Sequence, residues 1–369
     1  MYKTIEELVT RVDERNNDGI VSELIGVSID KCFIKSVANT NGTDLSKYKI
    51  IRKNDFAVSL MQVSRDGKIP VARLEEYEEA IMSPAYPIFR VKDNNIILPE
   101  YLEMWFKRPE FDREAAFIAV GGVRGSMPWE EFAKMKLPVP PIEKQRKIVN
   151  AYKIVTDRIA LKQKINDNLL DSVQAIFRSW FVDYDPFDGV CPSNWETGCV
   201  EDIAEFFDSM RKPLSSLERT DMERIYPYYG AVSIVDYVDD YIFDGEYLLV
   251  SEDGIYVVDE NGHPLIQHIS GKFWANNHAH ILKGKSGFNE DSLYLFLANT
   301  NMAPIVTGAA QPKINQANLK SFPITIPDSE TMLKFNNIIQ PFFDQRLTNE
   351  SEIKKLEALQ SLLLTRLVD

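Results

Sequence analysis

The chain makes the same awkward junction twice, and this repeat limits the folds open to it. Residues 137–159, LPVPPIEKQRKIVNAYKIVTDRI, carry a proline-studded segment straight into a long amphipathic pattern. Residues 322–339, FPITIPDSETMLKFNNII, do so again. The opening TIEELVTRVD (4–13) resembles CVEDIAEFFD (199–208), both with apolar residues at helical spacing around an acidic pair. GGVRGSMPWEEFAKMKLPVPPIEKQ (121–145) matches TGAAQPKINQANLKSFPITIPDSE (307–330), and RSWFVD (178–183) matches TRLVD (365–369). A repeat of this kind decides architecture before any local signal. Each half therefore reads as a variable module followed by a similar long helix.

The long patterns fit heptads. With a positions at Ile148, Val155, Lys162, Leu169 and Ile176 and d positions at Tyr152, Ile159, Asn166, Val173 and Trp180, eight of ten are apolar, which supports a pairing seam. A shift of 187 gives Phe335, Ile339, Phe342, Arg346, Asn349, Ile353, Leu356, Gln360, Leu363 and Leu367, seven of them apolar. Both seams break mid-helix, at Lys162 with Asn166 and at Arg346 with Asn349; polar seam residues cost stability and fix register. Pro341 is expected to kink the second pattern or delay its start. Each helix spans roughly 54–60 Å at the usual rise, more than one small domain needs. Similar halves paired through similar helices predict antiparallel helices and a pseudo-twofold arrangement, with the modules at opposite ends of a rod. The plainer alternative packs each helix on its own module.

Pro138, Pro140 and Pro141, and likewise Pro323 and Pro327, are expected to stop the preceding segment from continuing as a strand. Glu143, and Asp328 with Glu330, favour helix starts. Pro186 ends the first helix, and Gly189, Pro192 and Ser193 form a linker. The expected boundaries are a module at 1–141, a helix at 142–185, a second module at 186–328 and a second helix at 329–369. Strand-like runs lie in YKIIRKNDFAVSLMQV and YPIFRV, and PEYLEMWFKRPEF (99–111) reads as a helix ended by Pro109. The second module offers EYLLVSEDGIYVV, GKFWANNHAHILKG and the helix EDSLYLFLANT. The fold class is α+β: two globular α+β modules separated by two long antiparallel helices forming a coiled coil.

Charge and composition narrow the function. At 369 residues and 44% apolar, the chain can bury two cores. No apolar run is long enough for a membrane span, and the N-terminus lacks the basic flank and apolar stretch of a secretory signal. Three scattered cysteines, Cys32, Cys191 and Cys199, make no disulfide framework and suggest a reduced, cytoplasmic protein. A net charge of −13 argues against coating nucleic acid non-specifically. It leaves room for a local basic patch, which acts within a Debye length of about 8 Å. An acidic remainder suits docking to basic partner subunits.

The candidate contacts sit on glycine-rich loops and one histidine-rich stretch. SRDGK and GGVRGS offer Arg65, Lys68, Arg124 and Ser126; GAAQPK offers Gln311 and Lys313 at the place corresponding to Arg124. Arg, Gln and Lys beside Gly suit close approach to a groove, although a solvated turn has the same composition. KFWANNHAH offers Lys272, Asn276, Asn277, His278 and His280, and YPYYG offers Tyr229. Asn bridges adenine, and Lys reaches guanine or phosphate. His278 and His280 alternate on a probable strand and so share a face. They could ligate a metal, but no acidic or cysteine pattern completes such a site, and none is assigned. His263 and His268 complete the set of four.

Catalytic signatures are missing. DPF at 185–187 is one proline short of a methyltransferase tetrad, no GxxxxGK[ST] phosphate loop occurs, and EDG at 252–254 lacks metal-site spacing. No nucleophile–base pair can be named, so the chain reads as a recognition scaffold.

These residues resemble the specificity subunits of type I restriction-modification systems over essentially the whole chain. MPWEEFAKMKLPVPPIEKQRKIV and IFRSWFVDYDPF carry the resemblance around the central helix. YPYYGAVSIVDYVDDYIFDGEYLLVSEDG, GKFWANNHAHIL and TGAAQPKINQANLKSFPI carry it in the second half. SVANTNGTDLSKY, SPAYPIF and RPEFDR look like one type of target recognition domain. The resemblance implies two target recognition domains, each reading half of a split, asymmetric site in double-stranded DNA. It also implies spacer helices that dock two modification subunits. Those partners would use S-adenosylmethionine to methylate adenine, and restriction subunits could join with ATP and Mg; this chain would hold no cofactor of its own. PITIPDSETML departs from PVPPIEKQRKI, which leaves the second helix's docking role open. The competing readings are a stand-alone methyltransferase or nuclease, and a non-catalytic acidic scaffold or DNA-mimic anti-restriction protein.

Overall fold

Prolines and short strands dominate the entry and exit of each half. The computed structural model describes residues 1–36, 44–61, 63–120, 125–308 and 310–368. The chain divides into two units, Met1–Lys162 with Ser351–Asp369, and Gln163–Glu350. Within the first lie, in chain order, β1 (Tyr2–Thr4), α1 (Ile5–Leu8), β2 (Val9–Val12), β3 (Ile25–Val27), β4 (Phe33–Lys35), β5 (Lys49–Arg52), β6 (Phe56–Val58), α2 (Val63–Asp66), β7 (Val71–Arg73), β8 (Glu79–Met82), β9 (Ile88–Val91), α3 (Pro99–Phe106), α4 (Pro109–Ala119), α5 (Trp129–Lys134) and β10 (Lys136–Pro138). A four-stranded sheet, β2-β9-β6-β7, is flanked by the ribbons β1-β10, β3-β4 and β5-β8. Its core is aromatic: Phe56 stacks on Phe89 at 5.3 Å, Phe106 packs edge to face against both, Phe132 lies tilted on Phe89, and Phe111 packs on Phe106 and Phe132. Pro109 does not simply end the 99–111 helix. The first helix stops at Phe106, and Pro109 opens α4 at a first-turn position, where its missing N–H costs nothing.

The long helix α6 (Ile142–Phe181) follows. The second unit then adds β11 (Glu196–Cys199), α7 (Val200–Ile203), β12 (Ala204–Phe206), α8 (Ser216–Thr220), β13 (Tyr226–Tyr229), β14 (Ile234–Val238), β15 (Phe243–Ser251), β16 (Ile266–Ala275), β17 (Ala279–Gly284), α9 (Glu290–Ala298), α10 (Gln316–Lys320) and β18 (Pro323–Ile326), before α11 (Ser329–Thr365). Six strands form one sheet in the order β12-β17-β15-β16-β13-β14, and β13 pairs parallel to β16. Both faces of its centre are covered. Leu248 and Val250 of β15 join a core with Leu282, Leu295 and Phe335, while Tyr247 and Leu249 join a second with Phe273 and Ile281. A strand buried on both sides reads as an unbroken apolar run, which is what YLLV (247–250) is.

Each half begins and ends in an antiparallel ribbon of the same register. Thr4 faces Lys136 and Lys3 faces Leu137; Cys199 faces Pro323 and Gly198 faces Ile324. The proline segments are therefore strands themselves, with Pro138 and Pro323 paired, contrary to the expectation that they end strand structure. A two-stranded ribbon leaves one edge of each strand open, and proline is tolerated there. A short helix follows in both halves. Ile5 N donates to Met135 O and Val200 N to Phe322 O. Glu7 and Asp202 accept the N–H of Thr4 and Cys199 at 2.7 and 2.8 Å, closing one half of a capping box.

The two long helices pair antiparallel inside each unit. In the first unit, Val155 and Ile159 are buried with Ile353, and Leu356 and Leu363 pack against them. Gln360 Nε2 donates to Thr156 Oγ1 at 2.8 Å and Lys162 reaches Glu352 at 2.6 Å, so numbers rise on one helix as they fall on the other. Ile148 and Tyr152 pack on the aromatic core, where Leu364 and Leu367 are also buried. In the second unit Val173 is fully buried among Phe335 and Ile339, with Ile176, Trp180 and Phe342 partly buried at the same core. The seam-breaking Asn166 and Asn349 meet: Asn349 Nδ2 donates to Asn166 Oδ1 at 2.8 Å.

Leu169 is only half-buried and stands outside these clusters, while Leu170, Phe177 and Phe343 take seam positions that strict heptads do not assign. In the first unit the seam runs through Ile159 and Lys162, and in the second through Asn166 and Leu170, a spacing of four residues where the strict heptad assigns Leu169. Pro341 lies inside α11, which starts at Ser329, so it does not delay the helix.

Candidate nucleic-acid interface

In the second unit the end of β15 gathers four loops. Glu252 N donates to His278 O and Ile314 N to Glu252 O, each at 2.9 Å. Asp253 pairs with Lys313 as a backbone bridge, and its Oδ1 lies 2.5 Å from His278 Nδ1. Asn276 N donates to Tyr229 O at 3.0 Å, and Gln267 Nε2 holds Gly230 O and Ala231 O. Segments 229–233, 252–256, 276–278 and 311–313 thus share one locality. Asn277, His278 and Gln311 are exposed there, and Lys313 is half-exposed.

Other candidates point inward. His280 is fully buried and Asn276 nearly so, which removes both from direct contact with a duplex. His278 precedes β17 and His280 lies within it, facing the core beside Leu282, so the two do not share a face. Tyr229 is partly buried, edge-on to Phe273. Lys272 is exposed on β16 with its ammonium 4.4 Å from the Tyr241 ring.

His280 belongs to a charge network beneath the loops. Its Nδ1 lies 2.6 Å from Asp208 Oδ2 and its Nε2 2.8 Å from Ile314 O. Both ring nitrogens thus face an acceptor oxygen. Gln316 Nε2 and Ile281 N also donate to Asp208. Glu252 takes Arg211 at 2.6 Å and Lys313 at 2.9 Å. Burial pushes both carboxyls up, but donated hydrogen bonds and the adjacent cations outweigh it and hold both below the usual range. Asp208, Glu252 and His280 bring ligand atoms within 4.8 Å of one another. Their carboxylates are already committed to Arg211 and Lys313, so a dication there would displace two protein cations. Sequence reasoning missed Asp208, Arg211 and Gln316, because a network drawn from distant segments leaves no local motif.

The first unit repeats the construction. Met127 N donates to Leu60 O at 2.9 Å, and Met127 and Ile314 are 187 positions apart in the chain. Gly125, at φ +72°, backs so closely onto Ser64 that a side chain would collide with it. This sets Ser126, half-buried, beside the 63–68 segment. Arg65 is exposed but spread across Asp66, with Nε 2.6 Å from Oδ1. Lys68 is exposed in the turn that follows. Arg124 lies outside the described residues.

The remaining histidines are structural. His263 sits 3.5 Å from Asp259. His268 packs against Tyr294 and Phe343, and burial, with Arg346 nearby, pulls its pKa down to about 4. Asp291, 3.5 Å from its Nδ1, is pushed up to about 7 by burial and the neighbouring Glu246, Asp344 and Glu290, against a hydrogen bond from Gln340. Its place in the first turn of α9 favours the charged form, and burial outweighs it.

The two shifts act oppositely. From about pH 6.5 down to about 4 the unfolded chain binds a proton on His268 that the folded chain refuses, so acid weakens the fold. Between 3.8 and about 7 the folded chain keeps a proton on Asp291 that the unfolded chain releases, so acid strengthens it. Asp291→Asn removes the second effect. The variant should exceed the parent in stability above about pH 7 and lose stability steadily from about pH 6.5 to about 4, read as denaturant midpoints. A profile identical to the parent's would contradict this.

The fold defined here is a duplicated α+β module, each copy clasped by its own ribbon, tied to antiparallel helices and carrying a glycine-rich loop cluster. The chain belongs to the type I restriction modification DNA specificity domain family, whose sequence profile matches residues 13–171 and again 192–359. A putative type I restriction enzyme specificity subunit of Haemophilus influenzae is 39% identical over 128 residues, 35% of this chain and 32% of that protein. The chain thus spans about a third of that relative's length. The type I restriction enzyme MjaIX specificity subunit of Methanocaldococcus jannaschii is 22% identical over 297 residues, covering 74% of this chain and 68% of the relative. The crystal structure of the type I restriction-modification S subunit from M. genitalium shares the fold, with a TM-score of 0.58 at 14% identity over 100% of this chain and 96% of that one. No helix among the described residues is long and apolar enough to cross a membrane.

Proposed function

We propose that this chain is the sequence-reading subunit of a type I restriction-modification complex, each unit addressing one half of a bipartite, asymmetric duplex site. The observation that carries the reading is the repeated loop cluster. Two loops with equivalent anchoring hydrogen bonds, Met127 to Leu60 and Ile314 to Glu252, present different side chains, as two unlike half-sites require. Lys68 and Ser126, with Arg124, serve the first; Asn277, His278, Gln311, Lys313 and Lys272 serve the second. Two modification subunits dock along the helices, where Ile154 and Leu161 of α6 and Leu333 of α11 stand exposed. Those partners bind S-adenosylmethionine and methylate adenine in the cytoplasm. Restriction subunits, where present, supply ATP- and Mg-dependent chemistry. This chain contributes address and spacing, with no catalytic group.

The test is methylome sequencing of cells expressing the chain with its modification subunit. A bipartite motif is expected. Lys68→Ala should weaken modification through one half-site and Asn277→Ala through the other. A base contact is worth about 1–3 kcal/mol, roughly 5- to 150-fold in selectivity, and a phosphate contact weakens binding without changing the motif. Both variants altering the same half-site would overturn the assignment.

A further inference from the structure

We propose that the loop tip Gly254-Ile255-Tyr256 is an apolar reader that recognises thymine by its 5-methyl group in the half-site addressed by the second unit. The proposal deepens the DNA-reading function above and rests on it. Ile255 is 82% exposed and Tyr256 72%, while the next residue, Val257, is 1% exposed and part of the core. The chain thus turns two large apolar groups outward within one residue of a buried one.

The tip is fixed at both feet. On one side stand the Asp253–His278 contact and the Asp253–Lys313 bridge; on the other Leu265 N donates to Val257 O at 3.1 Å. Gly254 takes φ +145°, which admits the reversal. A held tip presents Ile255 and Tyr256 with little ordering left to lose on binding.

Charge allows this tip to approach phosphates. The two carboxylates at its foot are engaged, Asp253 by His278 and Glu252 by Arg211 and Lys313. Exposed amides of Asn277 and Gln311 lie on neighbouring loops and suit hydrogen bonding to base edges. The thymine methyl is the apolar feature of the major-groove edge, and an aliphatic or aromatic group is its complement. An apolar wedge driven between base steps from the minor groove is the other use of such residues, and it is indifferent to that methyl.

The experiment uses the full chain assembled with its modification subunit, and duplexes carrying its mapped site. Thymine is replaced by deoxyuridine one position at a time, which deletes only the methyl. At one position of the second half-site, binding should fall about fourfold, the value of one buried methyl-sized group. The Ile255→Ala/Tyr256→Ala double variant should bind thymine and deoxyuridine duplexes equally at that position. Its first half-site and melting temperature should be unchanged, since both side chains are exposed. A variant that still discriminates thymine from deoxyuridine, or a parent complex insensitive to deoxyuridine throughout the second half-site, overturns the proposal. Failure of the parent complex to select any bipartite site would instead overturn the underlying function.

Discussion

Inserting seven residues into both long helices, between Lys162 and Asn166 in α6 and between Asn349 and Glu352 in α11, should abolish modification of the original site and create a weaker preference for one with a longer spacer. Seven residues add about 10.5 Å of helix, close to three base pairs of duplex. The insertion preserves the seam, because seven residues are nearly two helical turns. It also asks the second half-site to rotate by about 100°, since a turn of duplex takes about 10–10.5 base pairs; hence the lower efficiency. Placing the insertions in both helices matters. The Asn166–Asn349 hydrogen bond and the Lys162–Glu352 ion pair show the two stretches to be neighbours inside their respective units, and a one-sided insertion would slide every seam contact beyond it. Methylated motifs mapped by sequencing give the answer. An unaltered spacer in an active double-insertion variant would falsify the idea that helix length measures the site.

The largest stability loss is expected at Phe335. It is fully buried, and its ring lies 4.7 Å from Phe181, 5.8 Å from Trp180 and 6.4 Å from Phe177. It joins α6, α11 and the core beneath the second sheet in one contact. Phe335→Ala should cost about 3–5 kcal/mol through lost burial and the cavity left behind, while Phe335→Leu should recover part of that. The matched control is Leu333→Ala on the same helix, 62% exposed, which should change stability by less than about 0.5 kcal/mol. Chemical denaturation of the full chain separates these. A Phe335→Ala variant as stable as the Leu333→Ala control would mean that the helix pair is not secured by this aromatic cluster.

The sequence exposed some layers of this molecule and concealed others for physical reasons. Periodicity located both long helices, because a helix face must repeat to stay buried along its length. It also located the mid-seam polar residues, which meet as Asn166 and Asn349. The switch from Leu169 to Leu170 escaped, since two adjacent leucines give a periodicity reading no means of choosing between them. The helix at Pro109 escaped for a different reason: proline stops one helix and starts another equally well, and only the backbone around it distinguishes the two.

In the candidate interface, residue type singled out loops that come together at the end of β15 in the second unit. Exposure then sorted their members. His278 and His280 are two positions apart, yet one meets solvent and the other is sealed beside Asp208. Nothing in NNHAH separates them, because the strand starts between them and its first inward residue is fixed by pairing with β15. Arg211, Asp208 and Gln316 lay further out of reach. They matter through tertiary closure of segments more than a hundred residues apart, from Asp208 to Gln316.

The ribbons that open and close each half have a consequence for inheritance. Where Thr4 meets Lys136 and Cys199 meets Pro323, the beginning and the end of a module are zipped together. Everything between is a drawer fitted to a fixed handle. If each unit reads a half-site as proposed, a crossover at these seams should exchange one drawer for another and change the address in a single genetic event, provided that the incoming core still fits Ile148 and Tyr152 or Phe335 and Ile339 of the helices.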